Sequence, residues 1–158
     1  MATIYLSLGS NIGDRRRNLE RALIELERSN INVVKKSSLY ETEPVGPKQR
    51  RFYNMAGKFC TKLLPKELLK SLKQIEKNLG RKKTFKWGPR VIDIDILFYG
   101  KQIIKTKNLI IPHKEIACRY FVLVPMSEIA PHFVHPVYKK TISTLLKNID
   151  NKTFIKTI

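Results

Sequence analysis

The chain has 158 residues, with 31 Lys and Arg against 13 Asp and Glu, a formal net charge of +18 and two cysteines. This length suits a single domain, residues 1 to 158, in which folding removes roughly 70% of the unfolded chain's surface from water, so no disulfide framework is needed. Cys60 and Cys118 lack metal-ligand spacing and read as reduced thiols. No run approaches the ~18 apolar residues of a membrane span, and "MATIYLSLGS" lacks the basic leader of a signal peptide, so the expectation is a soluble cytoplasmic protein.

Thr3 to Leu8 alternates, with Ile4, Leu6 and Leu8 on one face, and predicts a half-buried strand. "GSNIGD" turns the chain, and Asp14 is placed to cap a helix on which Leu19, Ala22, Leu23 and Leu26 follow the i, i+3, i+4, i+7 spacing. A weaker strand is expected near Asn32 to Tyr40. Pro44, Gly46 and Pro47 make Glu41 to Arg51 a loop, and Phe52 to Thr61 is again strand-like. A second helix opens at Pro65 and closes at Gly80, with Leu68, Leu72, Ile75 and Leu79 as its buried stripe. The loop Arg81 to Arg90 leads into a strand, Val91 to Tyr99. Shorter pieces follow: a strand near Gln102 to Lys105, a turn of helix after His113, an apolar segment Phe121 to Val124, and a helix around Thr141 to Ile149. The order strand, helix, strand, strand, helix, strand predicts an α+β, ferredoxin-like fold. A mainly antiparallel sheet would carry helices on one face and leave the other for a ligand or extra elements.

Within "WGPRVIDIDILFYG", Asp93 and Asp95 project to one face of an otherwise apolar strand, with Leu97 expected beside them and Ile92, Ile94 and Ile96 opposite. Paired carboxylates repel unless a proton, a cationic side chain or a metal lies between them. An isolated pair is as readily a solvated strand face. Here, however, the loop from Arg81 to Arg90 carries five positive residues and no acid. Carboxylates that hold Mg²⁺ beside guanidinium and ammonium groups suit a polyphosphate, for which Mg²⁺ needs only one or two protein carboxylates. "GSNIGD" fails both the P-loop and the GxGxxG patterns. Phe52 and Asn54 share a strand face and offer a ring and an amide to a heterocycle, although a core Phe beside a satisfied Asn is the commoner meaning. His113 and Arg119 flank a third segment. His132 and His135 lack further zinc ligands and read as structural.

Taken together, "LSLGSNIGD", "YETEPVGPKQRRFYNMA", "IEKNLGRKKTFKWGPRVIDIDILFYG" and "IPHKEIACRYFVLVPMSEIAP" resemble the 6-hydroxymethyl-7,8-dihydropterin pyrophosphokinase family over nearly the whole chain. The resemblance implies transfer of the pyrophosphoryl group of ATP to the pterin hydroxymethyl oxygen in folate biosynthesis, with AMP released, two Mg²⁺ ions as cofactors and ATP as co-substrate. It implies Asp93 and Asp95 as metal ligands, with Arg81 and Arg90 joining them in catalysis. Thr42, Val45, Phe52, Asn54, Trp87 and Phe121 would meet the pterin. Lys73, Glu76, Lys83, Lys86, Arg90, Ile96, His113 and Arg119 would meet the nucleotide.

The sequence departs from the family pattern at Glu43, where proline is common, at "KQRR", and in the basic loop, which is one residue short with Lys83 and Lys86 in place of arginines. The expected partners are ATP and the pterin, bound by a monomer without nucleic acid or membrane. The alternatives are a basic ferredoxin-like RNA-binding module, which leaves the aspartates without purpose, and a Mg²⁺-dependent nuclease that uses them differently.

Overall fold

The computed structural model describes residues 1–158. In chain order the elements are β1 (Ala2–Ser10), α1 (Arg15–Arg28), β2 (Ile31–Lys36), β3 (Tyr40–Thr42), β4 (Phe52–Thr61), α2 (Pro65–Asn78), β5 (Asp93–Tyr99), β6 (Ile104–Lys105), β7 (Ile110–Ile111), α3 (Tyr120–Ile129), α4 (Ile142–Asn148) and β8 (Ile155–Thr157). The main sheet runs β5-β1-β4-β3-β8, with β2 also paired to β4, and its pairings are antiparallel. Because β2 faces Gly57 to Thr61 and β3 faces Phe52 to Asn54, the two share one strand position. Counted so, the sheet has the ferredoxin-like order expected from the sequence.

The single strand expected near 32–40 is broken at Ser37. There the Ser37 hydroxyl accepts from Ala56 N, at 2.9 Å, while Ser38 N donates to Glu128. Side chains have taken over part of the ladder. Asp14 caps α1 as expected, accepting from Arg17 N. Leu19, Ala22 and Leu26 of α1, with Leu68, Leu72 and Ile75 of α2, pack on Ile4, Leu6, Leu8, Phe59, Ile94 and Ile96 to form the larger core. Each of the Leu, Ile and Phe side chains contributes about 1.5 to 3 kcal/mol on burial.

The first strand is not half-buried: Ile4 through Ser10 are buried on both faces. The cause is α3, which the sequence showed only as an apolar segment. Apolar on nearly all sides and carrying Pro125, it has no amphipathic stripe to betray it. Together with α4 it covers the second face, packing Val122, Leu123, Met126, Ile142 and Leu145 on Tyr5, Leu97 and Phe98. A register shift between Tyr5 and Leu6, opposite Ile96 to Phe98, places both Leu97 and Phe98 in this second core. The cover is partial. Beyond Tyr5 the second face carries Ser7, Gly9, Asp93 and Asp95, which belong to neither core and line a cavity.

Candidate active site

Asp93 and Asp95 stand opposite Gly9 and Ser7 of β1, whose small side chains leave space above the sheet. On the other side of β1, Gly9 pairs with Asn54. A Cβ at Gly9 would fall 2.4 Å from Asn54 Oδ1, so only glycine lets that amide lie across the strand. Asn54 donates to Thr42 Oγ1 at 2.6 Å, which fixes the amide and leaves its oxygen and second N–H for a ligand. These groups line a cavity of about 280 Å³ together with Phe52, Phe121, Trp87, Arg90, His113 and Arg119.

Two loops wall the cavity, and Asn11, buried in the turn after β1, ties them together. Its Nδ2 donates to Gln49 Oε1 and Arg50 O, both at 2.9 Å, and its Oδ1 accepts from Arg90 N at 2.8 Å. Gln49 Nε2 then donates to Trp87 O at 2.6 Å. Trp87 approaches Gly46 so closely that a Cβ there would meet its own Cβ at 2.8 Å. With φ at +86°, Gly46 is the residue this approach requires.

The electrostatics converge on the aspartates. Burial first, and then the Asp93 carboxylate, push Asp95 up to about 7, while Arg119 and Arg81 draw it back. At Asp95, burial and the neighbouring carboxylate outweigh the guanidinium groups of Arg119 and Arg81. Arg81 bonds Asp93 Oδ1 at 3.1 Å and also pairs with Glu76. Glu76, raised mainly by burial, accepts from Ile94 N at 2.9 Å. Its two bonds make it a holder of Arg81.

His113 Nδ1 accepts from Glu115 N at 3.1 Å, and burial followed by Arg119 lowers its pKa. The neutral ring therefore carries its proton on Nε2. Arg119 pairs with Glu115, and its guanidinium carbon lies 5.7 Å from the Trp87 ring centroid and 5.6 Å from that of Phe121. No three His, Cys, Asp or Glu side chains cluster to hold a metal. Mg²⁺ nevertheless fits the donor set, since one or two carboxylates, such as Asp93 and Asp95 supply, with substrate oxygens and water completing the shell, are its usual demand.

Residues 5–131 match the family model described as 7,8-dihydro-6-hydroxymethylpterin-pyrophosphokinase (HPPK). The chain belongs to that family. It is 47% identical over 141 residues to the 2-amino-4-hydroxy-6-hydroxymethyldihydropteridine pyrophosphokinase of Aquifex aeolicus, covering 89% of this chain and 88% of that protein. It is 45% identical over 149 residues to the folic acid synthesis protein FOL1 of Dictyostelium discoideum, covering 94% of this chain and 22% of that protein. Among solved structures, wild-type HPPK-DHPS of Plasmodium falciparum superposes with a TM-score of 0.73 at 18% identity, covering 92% of this chain and 40% of that one. This last likeness establishes the fold.

Against the family pattern, the structure gathers Thr42, Val45, Phe52, Asn54, Arg81, Lys86, Trp87, Arg90, Asp93, Asp95, His113, Arg119 and Phe121 around the one cavity. Lys73, Glu76 and Lys83 line an adjoining basic recess that shares Arg81 and Arg90 with it. Ile96 does not join them. Its side chain lies in the larger core on the opposite sheet face, as its place in the alternation dictates, so only its backbone is available to a nucleotide. Sequence reasoning passed over Asn11, Gln49 and Glu115, which touch the walls rather than the floor. The one available signal for Asn11 was an amide inside a turn otherwise explained by its glycines. His135 is structural, as expected, its Nδ1 accepting from Val137 N and Tyr138 N.

Proposed function

We infer that this protein transfers the pyrophosphoryl group of ATP to the hydroxymethyl oxygen of 6-hydroxymethyl-7,8-dihydropterin in the cytoplasm, as a step of folate biosynthesis. The substrate oxygen bonds to the β-phosphorus, the bond from that phosphorus to the α-phosphate oxygen breaks, AMP leaves, and the alcohol proton passes to water. The observation that carries this reading is the meeting, in one cavity, of the charged pair Asp93 and Asp95 with the ring-and-amide set Phe52, Phe121 and Asn54.

Asn54 and Thr42 bond the pterin edge, and Phe52 and Phe121 contact its faces. Asp93 and Asp95 would hold two Mg²⁺ ions, which when bound supply charge neutralisation along the triphosphate. Arg90 and Arg119 take further phosphate oxygens, and neutral His113 donates to one through Nε2. Lys83 and Lys86 act as point charges where a guanidinium would bind in bidentate fashion. Little covalent work falls to protein in such transfers, so positioning and charge carry the rate and no general base is assigned. The joined loops exclude the water that would otherwise compete for the phosphorus.

Incubation with Mg²⁺, ATP and the hydroxymethyl dihydropterin, followed by AMP measurement, tests the reading. AMP release that requires the pterin supports it, and release indifferent to the pterin overturns it.

A further inference from the structure

Residues 151–158 lie beyond the span matched by the family model, yet they reach the pterin side of the site. Strand β8 pairs with β3 in the register Tyr40 to Thr157, Glu41 to Lys156 and Thr42 to Ile155, and Ile158 N donates to Leu39 O at 2.9 Å. The backbone behind Thr42, which holds Asn54, is thus fixed from its outer edge. Just before this strand, Phe154 touches both ends of the loop 43–51. Its N–H donates to Glu43 Oε1 at 2.9 Å, and its ring lies 3.8 Å from the Arg51 guanidinium carbon. Arg51 is also 3.9 Å from Glu41, and its carbonyl accepts from Arg15 at 2.9 Å. Asn151 and Thr153 line a cleft of about 480 Å³ behind the loop, opposite Val45, Gly46 and Trp87.

Each contact is modest, about 0.5 to 1.5 kcal/mol for a hydrogen bond and about 0.5 to 1 kcal/mol for an exposed cation–π pair. They add to the Thr42–Phe52 pairing that already closes the loop, and hold the side chains of its first and last residues, Glu43 and Arg51. Glu43 is also a position at which the sequence departs from the family pattern, and its carboxylate has this second use. We propose that Phe154 and strand β8 latch the loop 43–51, so that residues 151–158 position the pterin-binding wall of the cavity. The proposal rests on the pterin assignment for its kinetic consequence and on the contacts alone for its effect on the loop.

The test compares the full chain with Phe154→Ala, Glu43→Ala, Glu43→Gln and a chain ending at Asp150, by hydrogen exchange and by steady-state kinetics. Phe154→Ala, Glu43→Ala and the shortened chain should speed exchange across 43–51 by about 3- to 10-fold, the size expected for losing such contacts. Glu43→Gln keeps an acceptor for Phe154 N and should restore slow exchange. In Phe154→Ala the KM for the pterin should rise by a similar factor, while kcat and the KM for ATP hold. Unchanged exchange at 43–51 in Phe154→Ala overturns the latch, as does a parallel rise in both KM values. If the shortened chain fails to fold, the point variants decide. If the full chain makes no pterin-dependent AMP, the function reading falls, and exchange still decides the latch.

Discussion

At Asp95, burial and a neighbouring carboxylate act in one direction and raise its pKa to about 7. A group in that position serves the fold poorly and gains its use from a cation. Asp95→Ala should therefore leave circular dichroism unchanged and lower AMP release by at least ~100-fold, the size expected for losing a metal ligand rather than a packing group. Near-normal turnover would remove metal ligation from the mechanism. Phe121 makes the complementary case. Phe121→Ala should weaken pterin binding by about 1 to 3 kcal/mol if stacking scales as it does for nucleobases. Titration with a pterin analogue measures this, and an unchanged affinity would pass the role to another ring. Phe121, in helix α3, came only from the family resemblance, whereas Asp95 was legible because strand alternation assigns each side chain a face. The same rule places Ile96 on the far side, a consequence that the motif by itself hides.

Elements show where legibility ends. Helices α1 and α2 announce themselves by stripes of Leu and Ile at helical spacing, and β4 occupies the stretch 52 to 61 read from the sequence. Helix α3 does not, because sheet and α4 bury most of its circumference and leave only Ser127 and Glu128 as a short polar patch, too little to set a period. Strand β8 is three residues long, too short for alternation to register, and its place depends on the free edge of β3. The joining of the two loops through Asn11 was equally hidden, since it depends on partners 38, 39 and 79 positions away in the chain. Asn11→Ala would leave Arg90 N and the two acceptors without their partner. The variant should lose about 1 to 3 kcal/mol in urea unfolding and exchange faster in both 43–51 and 81–90. Faster exchange in only one loop would mean that they are fixed separately.

For the molecule as a whole, the sheet is a shared wall between two cores, and the site occupies the part of its second face that α3 and α4 leave uncovered. The second core must therefore stay intact for the cavity to keep its floor, and the titratable ring of His135 packs against Phe98 of that core. The ring is buried, stacked on Tyr138 at a centroid distance of 4.3 Å and edge-on to Phe98 at 5.4 Å. Its Nδ1 accepts two backbone N–H groups at 3.1 Å, bonds that protonation at that nitrogen removes. Burial accordingly holds its pKa below the ordinary 6.5.

In the unfolded chain the ring takes a proton near its ordinary value, while the folded state resists. Protons then favour unfolding as the pH falls below 6.5, and the stabilisation present above that value is lost progressively until the folded-state pKa is reached. His113, lowered mainly by burial, adds a contribution of the same sign. Asp95, raised to about 7, acts with the opposite sign over this range, because the folded state takes up a proton there that the unfolded chain does not, so the share of His135 is read as the difference between wild type and variant in urea melts from pH 7.5 to 5. His135→Asn, whose Oδ1 can accept the same N–H groups without titrating, should gain stability relative to the wild type as the pH falls, since the shares of His113 and Asp95 are common to both. An identical pH dependence in the two proteins would show that acid does not act on this fold through His135.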